Sequence, residues 1–314
     1  YLQRIEPYYG TADAEAVAIG RGELDPNVTF MRGRSKTTGA TGPLLAVLAV
    51  ACGTPGVRGP SLSVGASTDP ENILLANIYA AGLRYYGTGA TVESSDDPLV
   101  ALDVGKVSVA TGFTGRLLHR FDPASTARAP EQVYRAMVGA LPEGVAAGDY
   151  ATAAEDKPAL SVTEATAAAW GSRDVSALVR NCARVSVGAP TGTNPPDSVG
   201  ECTFRPPREF GNTAMLFDAL RSGDVTAAWT ATAATDIPEG VVVLVDRKPN
   251  LIPAQNAVAL YRRNELDQMQ LRAVNEIAGV LDTAGLVGMM KKVRAGADPR
   301  AVAEEWLAAN PLGR

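Results

Sequence analysis

From residue 61 to the end, short strand-length runs alternate with helical segments that carry their own start and stop signals. That alternation dictates an α/β fold with mainly parallel pairing, because strands separated by helices return in the same direction. Ser61-Leu62-Ser63-Val64-Gly65 alternates in polarity and then breaks at a turn, as a strand does. Asp69-Pro70-Glu71 opens a helix: an aspartate caps free N–H groups, and proline fits the first turn. Ile73, Leu74, Ile78, Leu83 and the pair Tyr85 and Tyr86 then recur at helical spacing until Gly87. Strands are expected at 90–94 and 107–110, with helices at 98–103, 114–121 and 130–141. The pattern repeats downstream, with strands at 160–162, 184–188, 226–229, 241–245 and 257–261 and helices at 163–170, 175–180 and 213–222. Three helices at 266–281, 283–295 and 298–310 close the chain. Two α/β modules and a helical tail imply two lobes.

Composition narrows the function by exclusion. With 46% hydrophobic and 20% charged residues among 314, the chain is neither collagen-like, coiled-coil nor broadly disordered. A net charge of −5 lacks the basic footprint of a nucleic-acid binder, so nucleic acid is excluded as a partner. The single histidine, His119, lies in Leu117-Leu118-His119-Arg120-Phe121 and reads as a helix-surface residue. A His-based zinc site or a Ser-His-Asp triad would depend on it alone. No G-x-x-x-x-G-K-[ST] or G-x-S-x-G motif occurs, and Gly87-Thr88-Gly89-Ala90 lacks the third glycine of a dinucleotide fingerprint. Asp282-Thr283-Ala284-Gly285 reads as a helix junction. No enzyme, metal site or cofactor is expected.

The N-terminal segment carries a targeting pattern. No stretch reaches the roughly 20 apolar residues of a membrane-spanning helix. Met31-Arg32-Gly33-Arg34-Ser35-Lys36 places three positive charges ahead of an uncharged run at 42–51, the order of a signal peptide. The run ends in Ala49-Val50-Ala51-Cys52, which resembles a bacterial lipobox with Ala49 where leucine is usual. Lipid attachment is therefore expected at Cys52, the competing reading being a buried strand with a core cysteine. Residues 1–30, polar and acidic, read as an over-extended reading frame outside the native protein. Residues 31–51 are then the signal peptide and 52–60 a lipid-anchored tether. Export puts Cys182 and Cys202 in an oxidising compartment, where they are expected to pair across a Gly/Pro-rich loop. The alternative is two separate buried thiols.

Four segments carry a resemblance. They are Val64-Gly65-Ala66-Ser67-Thr68-Asp69-Pro70-Glu71-Asn72, Ala110-Thr111-Gly112-Phe113-Thr114-Gly115, Leu220-Arg221-Ser222-Gly223-Asp224-Val225, and the tail from Leu281-Asp282-Thr283-Ala284-Gly285-Leu286 through Asp298 to Leu307. In this order they resemble the VGSKNFTEQ-like, PEYTGT, ALxSGDVD and (D)PxxVAxEWL-like segments of the osmoprotectant (glycine betaine, choline, carnitine) substrate-binding proteins of ABC importers. The resemblance implies a two-lobed type II periplasmic binding protein, each lobe a mainly parallel sheet flanked by helices, with two crossover strands as hinge. Lobe one would comprise 61–157 plus 255–314, and lobe two 158–254. The crossings are expected near 155–162 and 250–261.

The resemblance further implies an interlobe cleft lined by Ser67, Thr68, Asp69, Asp96, Phe113, Thr114, Glu155, Asp156, Thr230, Thr232, Gln255 and Asn256. A small solute, the membrane subunits of an ABC permease, and the membrane through the lipid on Cys52 are the implied partners. The protein would be a monomer on the outer face of the cytoplasmic membrane. The chain departs from the family in its aromatics, whose faces hold quaternary ammonium groups by cation–π attraction. Asp69, Pro158 and Gln255 stand where aromatics are common, and Thr230 and Thr232 occupy the stretch that reads AFSTD in relatives. Asp69, Asp96, Asp97, Glu155 and Asp156 read either as partners of a cation or as a solvated rim, and Phe113 either as core or as ligand wall. The alternative function is an envelope lipoprotein of the same fold that binds another polar ligand or a protein without import.

Overall fold

The structure, a computed structural model, describes residues 5–7, 35–37 and 61–313. The chain forms two units, Tyr1–Arg58 and Gly59–Arg314. In the first, β1 (Ile5–Pro7) pairs antiparallel with β2 (Ser35–Thr37). The apolar run at 42–51, Cys52 and the tether to residue 60 lie outside the described residues.

In the second unit the elements begin with β3 (Leu62–Ala66), α1 (Pro70–Tyr85), β4 (Ala90–Ser94), α2 (Pro98–Asp103), β5 (Val109–Phe113), α3 (Thr114–Phe121), α4 (Pro130–Ala140) and β6 (Val145–Ala147). A first crossover, residues 148–157, leads to β7 (Pro158–Thr163), α5 (Glu164–Ala169), α6 (Val175–Arg180), β8 (Val187–Pro190), β9 (Ser198–Val199), β10 (Cys202–Thr203), β11 (Arg208–Phe210), α7 (Thr213–Ser222), β12 (Ala227–Ala231) and β13 (Val241–Val243). A second crossover, residues 244–256, returns the chain to β14 (Ala257–Arg262). Helices α8 (Gln268–Val280), α9 (Thr283–Arg294) and α10 (Pro299–Ala309) follow.

Two five-stranded sheets result, ordered β4-β3-β5-β14-β6 and β11-β8-β12-β7-β13. They share one topology. In each, the first three strands pair in parallel, and the strand that has just crossed over inserts antiparallel between the third and the fourth. Four strands of each sheet therefore run one way and the crossover strand runs against them. This is the mainly parallel two-sheet architecture expected from the sequence.

Each sheet has its own core. Helix α1 is buried from Leu74 to Leu83, because it lies under α8 and α10 as well as against β3. Its Gly82 permits close approach: a Cβ there would stand 2.7 Å from Ile277 Cγ1. Beneath the second sheet, Leu160, Val162, Leu178, Val187, Phe204 and Trp229 form a separate cluster. A disulfide joins Cys182 to buried Cys202 across 20 residues, with a Cα–Cα distance of 5.6 Å.

Local signals hold most helix starts: Asp69, Asp97, Asp282 and Asp298 each accept a backbone N–H as N-cap. Several strand boundaries differ from expectation: β7 is longer than 160–162, β12 runs past 229, and β13 stops at Val243 rather than 245, while two others shift by up to three residues. β5 starts at Val109 and runs through Thr111-Gly112-Phe113, a turn-like triplet held extended by the full ladder to β14. The strand expected at 184–188 starts at Val187, because Cys182–Arg184 forms a 3-10 turn. The strands β6, β9, β10 and β11 are two or three residues long and exist through tertiary pairing.

Candidate functional site

Strand direction places the two crossovers at the carboxyl ends of the parallel strands of both sheets. The last residue of β5, Phe113, pairs with the first of β14, Ala257. The last of β12, Ala231, pairs with the first of β7, Pro158. The crossovers bridge each other at Glu155 and Asn256, where Asp156 N donates to Gln255 O at 2.9 Å. The carboxyl ends of α/β strands, with the helix N-termini that follow them, are where ligands collect in open sheets. Here two such edges meet at one hinge.

Six of the expected residues lie at that hinge: Thr114, Glu155, Thr230, Thr232, Gln255 and Asn256. Thr114 and Asn256 exchange hydrogen bonds, Thr114 N to Asn256 O at 2.9 Å and Asn256 N to Thr114 Oγ1 at 3.1 Å. The Asn256 amide donates to Ala151 O at 2.9 Å, while its Oδ1 is buried without a donor. Gln255 Oε1 accepts from Arg116 N at 2.8 Å. Thr232 Oγ1 accepts from Lys157 N at 3.0 Å and donates to Glu155 O at 3.2 Å. Thr230 Oγ1 meets Ser161 Oγ at 2.8 Å. A buried ion pair between Lys157 Nζ and Asp246 Oδ2, at 3.2 Å, ties the crossovers together, and Glu155 Oε2 stands 3.6 Å from the same ammonium.

Beside the crossovers sits a charged cluster. Arg116, in the first turn of α3, sends Nη1 to Glu71 Oε2 at 3.0 Å and Nη2 to Asp156 Oδ2 at 3.2 Å. Asp156 Oδ1 accepts from Ala233 N, on the segment after β12, at 3.2 Å. One cluster therefore touches both sheets and the hinge. The Arg116 guanidinium also lies over the Phe113 ring, 4.8 Å from its centroid. Burial, then the neighbouring Asp156 carboxylate and the hydrogen bond between the two acids, push the Glu71 carboxyl up to about 8 against the pull of Arg116. Burial works against the Arg116 charge, but Glu71, Asp156 and Asp69 outweigh it and raise its pKa.

The remaining expected residues lie outside the hinge and this cluster, four toward the surface and Phe113 in the core. Asp69 is exposed and caps α1 through Asn72, beside half-buried Ser67 and exposed Thr68. Asp96 is exposed after β4, and neighbouring Asp97 caps α2 and pairs with Arg120. Phe113 is 1% exposed and belongs to the core cluster under the first sheet. Arg116, Glu71, Lys157 and Asp246 escaped the sequence reading. Their only signal was charge in a helix first turn or a loop, which locally reads as solvated surface. An apolar cavity of about 160 Å³ among Leu99, Leu102, Phe121, Val145 and Leu260 is lined by none of these hinge residues. Among the described residues no helix is long and apolar enough to cross a membrane, and no three His, Cys, Asp or Glu side chains gather as for a metal.

The fold is that of the type II periplasmic binding proteins, and the comparisons with known proteins agree. The family model described as the substrate binding domain of the ABC-type glycine betaine transport system matches residues 212–309. No curated protein sequence matches the chain. Among solved structures, a glycine betaine/carnitine/choline ABC transporter crystal structure is 18% identical, with TM-score 0.64 over 80% of this chain and 98% of that one. Apo YehZ from Escherichia coli is 18% identical, with TM-score 0.62 over 81% and 99%. An ABC-transporter choline binding protein in complex with choline is 16% identical, with TM-score 0.50 over 80% and 89%. These structural likenesses are likenesses of fold.

Proposed function

We propose that the chain is an extracytoplasmic receptor that delivers a small compatible solute to an ABC permease, a binding protein without catalysis. The solute would sit between lobe one, residues 61–157 plus 255–314, and lobe two, residues 158–254, and the lobes would close around the crossovers. The observation that carries this reading is the convergence of both sheets' carboxyl ends on one hinge, with the Arg116, Glu71 and Asp156 cluster beside it. The family match over 212–309 supports the same reading. Glycine betaine, choline and carnitine are the first candidates, after the names of the similar proteins. A lipid on Cys52 would hold a monomer at the outer face of the cytoplasmic membrane.

A second reading keeps the fold and the envelope location but gives the cleft another polar ligand or a protein partner without import. The covered face of Phe113 favours it. Thermal unfolding of the full chain against glycine betaine, choline, carnitine, ectoine, proline, polyamines and simple sugars separates the two. A solute at 100 times its Kd adds about 2.7 kcal/mol, a shift of several degrees for a chain of this size. A shift with at least one compatible solute is expected. Silence across the panel contradicts the receptor and leaves the second reading.

A further inference from the structure

We infer that the hydrogen bond from Arg294, at the end of α9, to Thr235, on the segment after β12, is a latch that holds the two lobes at one angle. The inference goes beyond the receptor reading, because it concerns how the lobes are held before any solute arrives and does not depend on which solute that is.

The segment that carries Thr235 belongs to lobe two and leans on lobe one. It leaves the carboxyl end of β12, where Thr232 N donates to Lys157 O of the first crossover at 3.0 Å. The next residue, Ala233, is buried and belongs to the same core cluster as Phe113, Ala154 and Leu286 of lobe one. Thr235 Oγ1 then accepts from Arg294 Nη1. Asp236 returns the segment to lobe two, where its Oδ2 accepts from Thr213 Oγ1 at the start of α7. Ile237 packs beside Phe210, Leu216 and Leu220 in the lobe-two core.

Helix α9 cannot follow a moving lobe two. Its first residue is fastened to the first crossover, Thr283 N donating to Ala153 O at 2.9 Å and Thr283 Oγ1 accepting from Glu155 N at 3.0 Å. Leu286, Met289 and Met290 bury its inner face in the lobe-one core. Its 12 residues span about 18 Å as a straight rod, so Arg294 projects from a fixed point of lobe one. Among the described residues, every other hydrogen bond between the lobes involves a crossover residue, from 148–157 or 244–256, and travels with the pivot. The Arg294–Thr235 bond involves none. Turning lobe two about the crossovers therefore breaks it, and reversing the turn restores it. A hydrogen bond to a charged group at a surface is worth a several-fold bias between two lobe arrangements, and this one biases the pair toward the latched arrangement.

Single-molecule energy transfer on the full chain reads the lobe angle. Fluorophores are placed at exposed Val138 of lobe one and exposed Asp218 of lobe two through non-canonical amino acids, which leaves the cysteines untouched. Without solute, the wild type is expected to give one narrow distribution. Thr235→Ala and Arg294→Ala are each expected to move several-fold more molecules to a second separation. Thr235→Ser keeps the acceptor and should behave as the wild type, and the double variant should shift no further than either single one. Arg294 is exposed and Thr235 half-buried, so thermal unfolding should change little in any variant. Should Arg294→Ala fail to fold, Thr235→Ala decides. Folded alanine variants with the wild-type distribution, a Thr235→Ser variant that shifts as far as Thr235→Ala, or a broad wild-type distribution overturns the latch. None of these outcomes touches the receptor reading, which the solute panel above tests separately.

Discussion

Lys157 and Asp246 stand 89 residues apart and meet as a buried ion pair, Nζ 3.2 Å from Oδ2, with side chains 6% and 2% exposed. Asp246 also accepts from Leu251 N and Ile252 N, so one carboxylate both folds the second crossover and fastens it to the first. Asp246→Ala strands a buried ammonium and two backbone donors. Breaking a buried pair costs about 3–5 kcal/mol, and the low end is expected here because Glu155 remains 3.6 Å from Lys157. Urea unfolding should show that loss, and a smaller one for Asp246→Asn, which retains an acceptor.

Glu71 makes stability depend on pH. Its carboxyl titrates near 8 when folded, against 4.5 ordinarily. Between those values the folded chain holds a proton that the unfolded chain has released, so the contribution of Glu71 to stability is full below about 4.5 and is lost as pH rises through about 8. The groups that face Glu71 are Asp156 and Arg116. Thermal unfolding followed from pH 5 to 9 should slope downward in the wild type, and the slope should flatten in Glu71→Gln. Parallel profiles for the two proteins would show that Glu71 ionises normally.

Gly115 lets α3 approach the second crossover. A Cβ at this position would stand 2.5 Å from Ala254 O and 2.8 Å from Gln255 Nε2. Backbone must move to admit it, and Gln255 would be pushed from the Arg116 N–H that it now accepts. Gly115→Ala is expected to cost roughly 1–3 kcal/mol by overpacking and to weaken solute binding. Chemical denaturation and titration of the same variant check both. Gly139→Ala, which meets nothing within 4 Å, is the control.

The Cys182–Cys202 disulfide closes a loop of 20 residues around β8, β9 and the turn between them. Chain entropy assigns such a closure about 3 kcal/mol. Reduction, or the double substitution Cys182→Ser with Cys202→Ser, should lower Tm by roughly 10 °C. The crossovers carry neither cysteine, so solute affinity below the new Tm should be retained.

Much of this architecture was legible because its signals are local. Asp69 with Pro70, and Asp298 with Pro299, announce helix starts within four residues, and the run from Ile73 to Leu83 announces a buried helix by its spacing. The order of elements and the four family-like segments pointed to the two-sheet fold for the same reason. What the sequence hid was long-range. β5 extends through Thr111-Gly112-Phe113 because β14, more than 140 residues later, pairs with it. β6 and β11 are too short to carry a period and depend on a neighbour's ladder. Phe113 was readable as an aromatic at a cleft, but the cation on its face was not. Arg116 meets Glu71 from 45 residues away and Asp156 from 40, and no local pattern encodes either distance. The hydroxyls and amides of Thr114, Thr232, Gln255 and Asn256 looked like ligand contacts and are engaged with the hinge backbone.

A solute held between the lobes must slow amide exchange on both sheets at once. Hydrogen-exchange mass spectrometry of the full chain, with and without saturating glycine betaine, measures this directly. Protection is expected together in the segments around Ser67–Glu71 and Phe113–Arg116 in the first sheet, Glu155–Lys157 at the hinge, and Thr230–Asp236 in the second. No protection, or protection confined to one sheet or to the apolar cavity beside Leu99 and Phe121, would contradict a solute-binding cleft at this hinge.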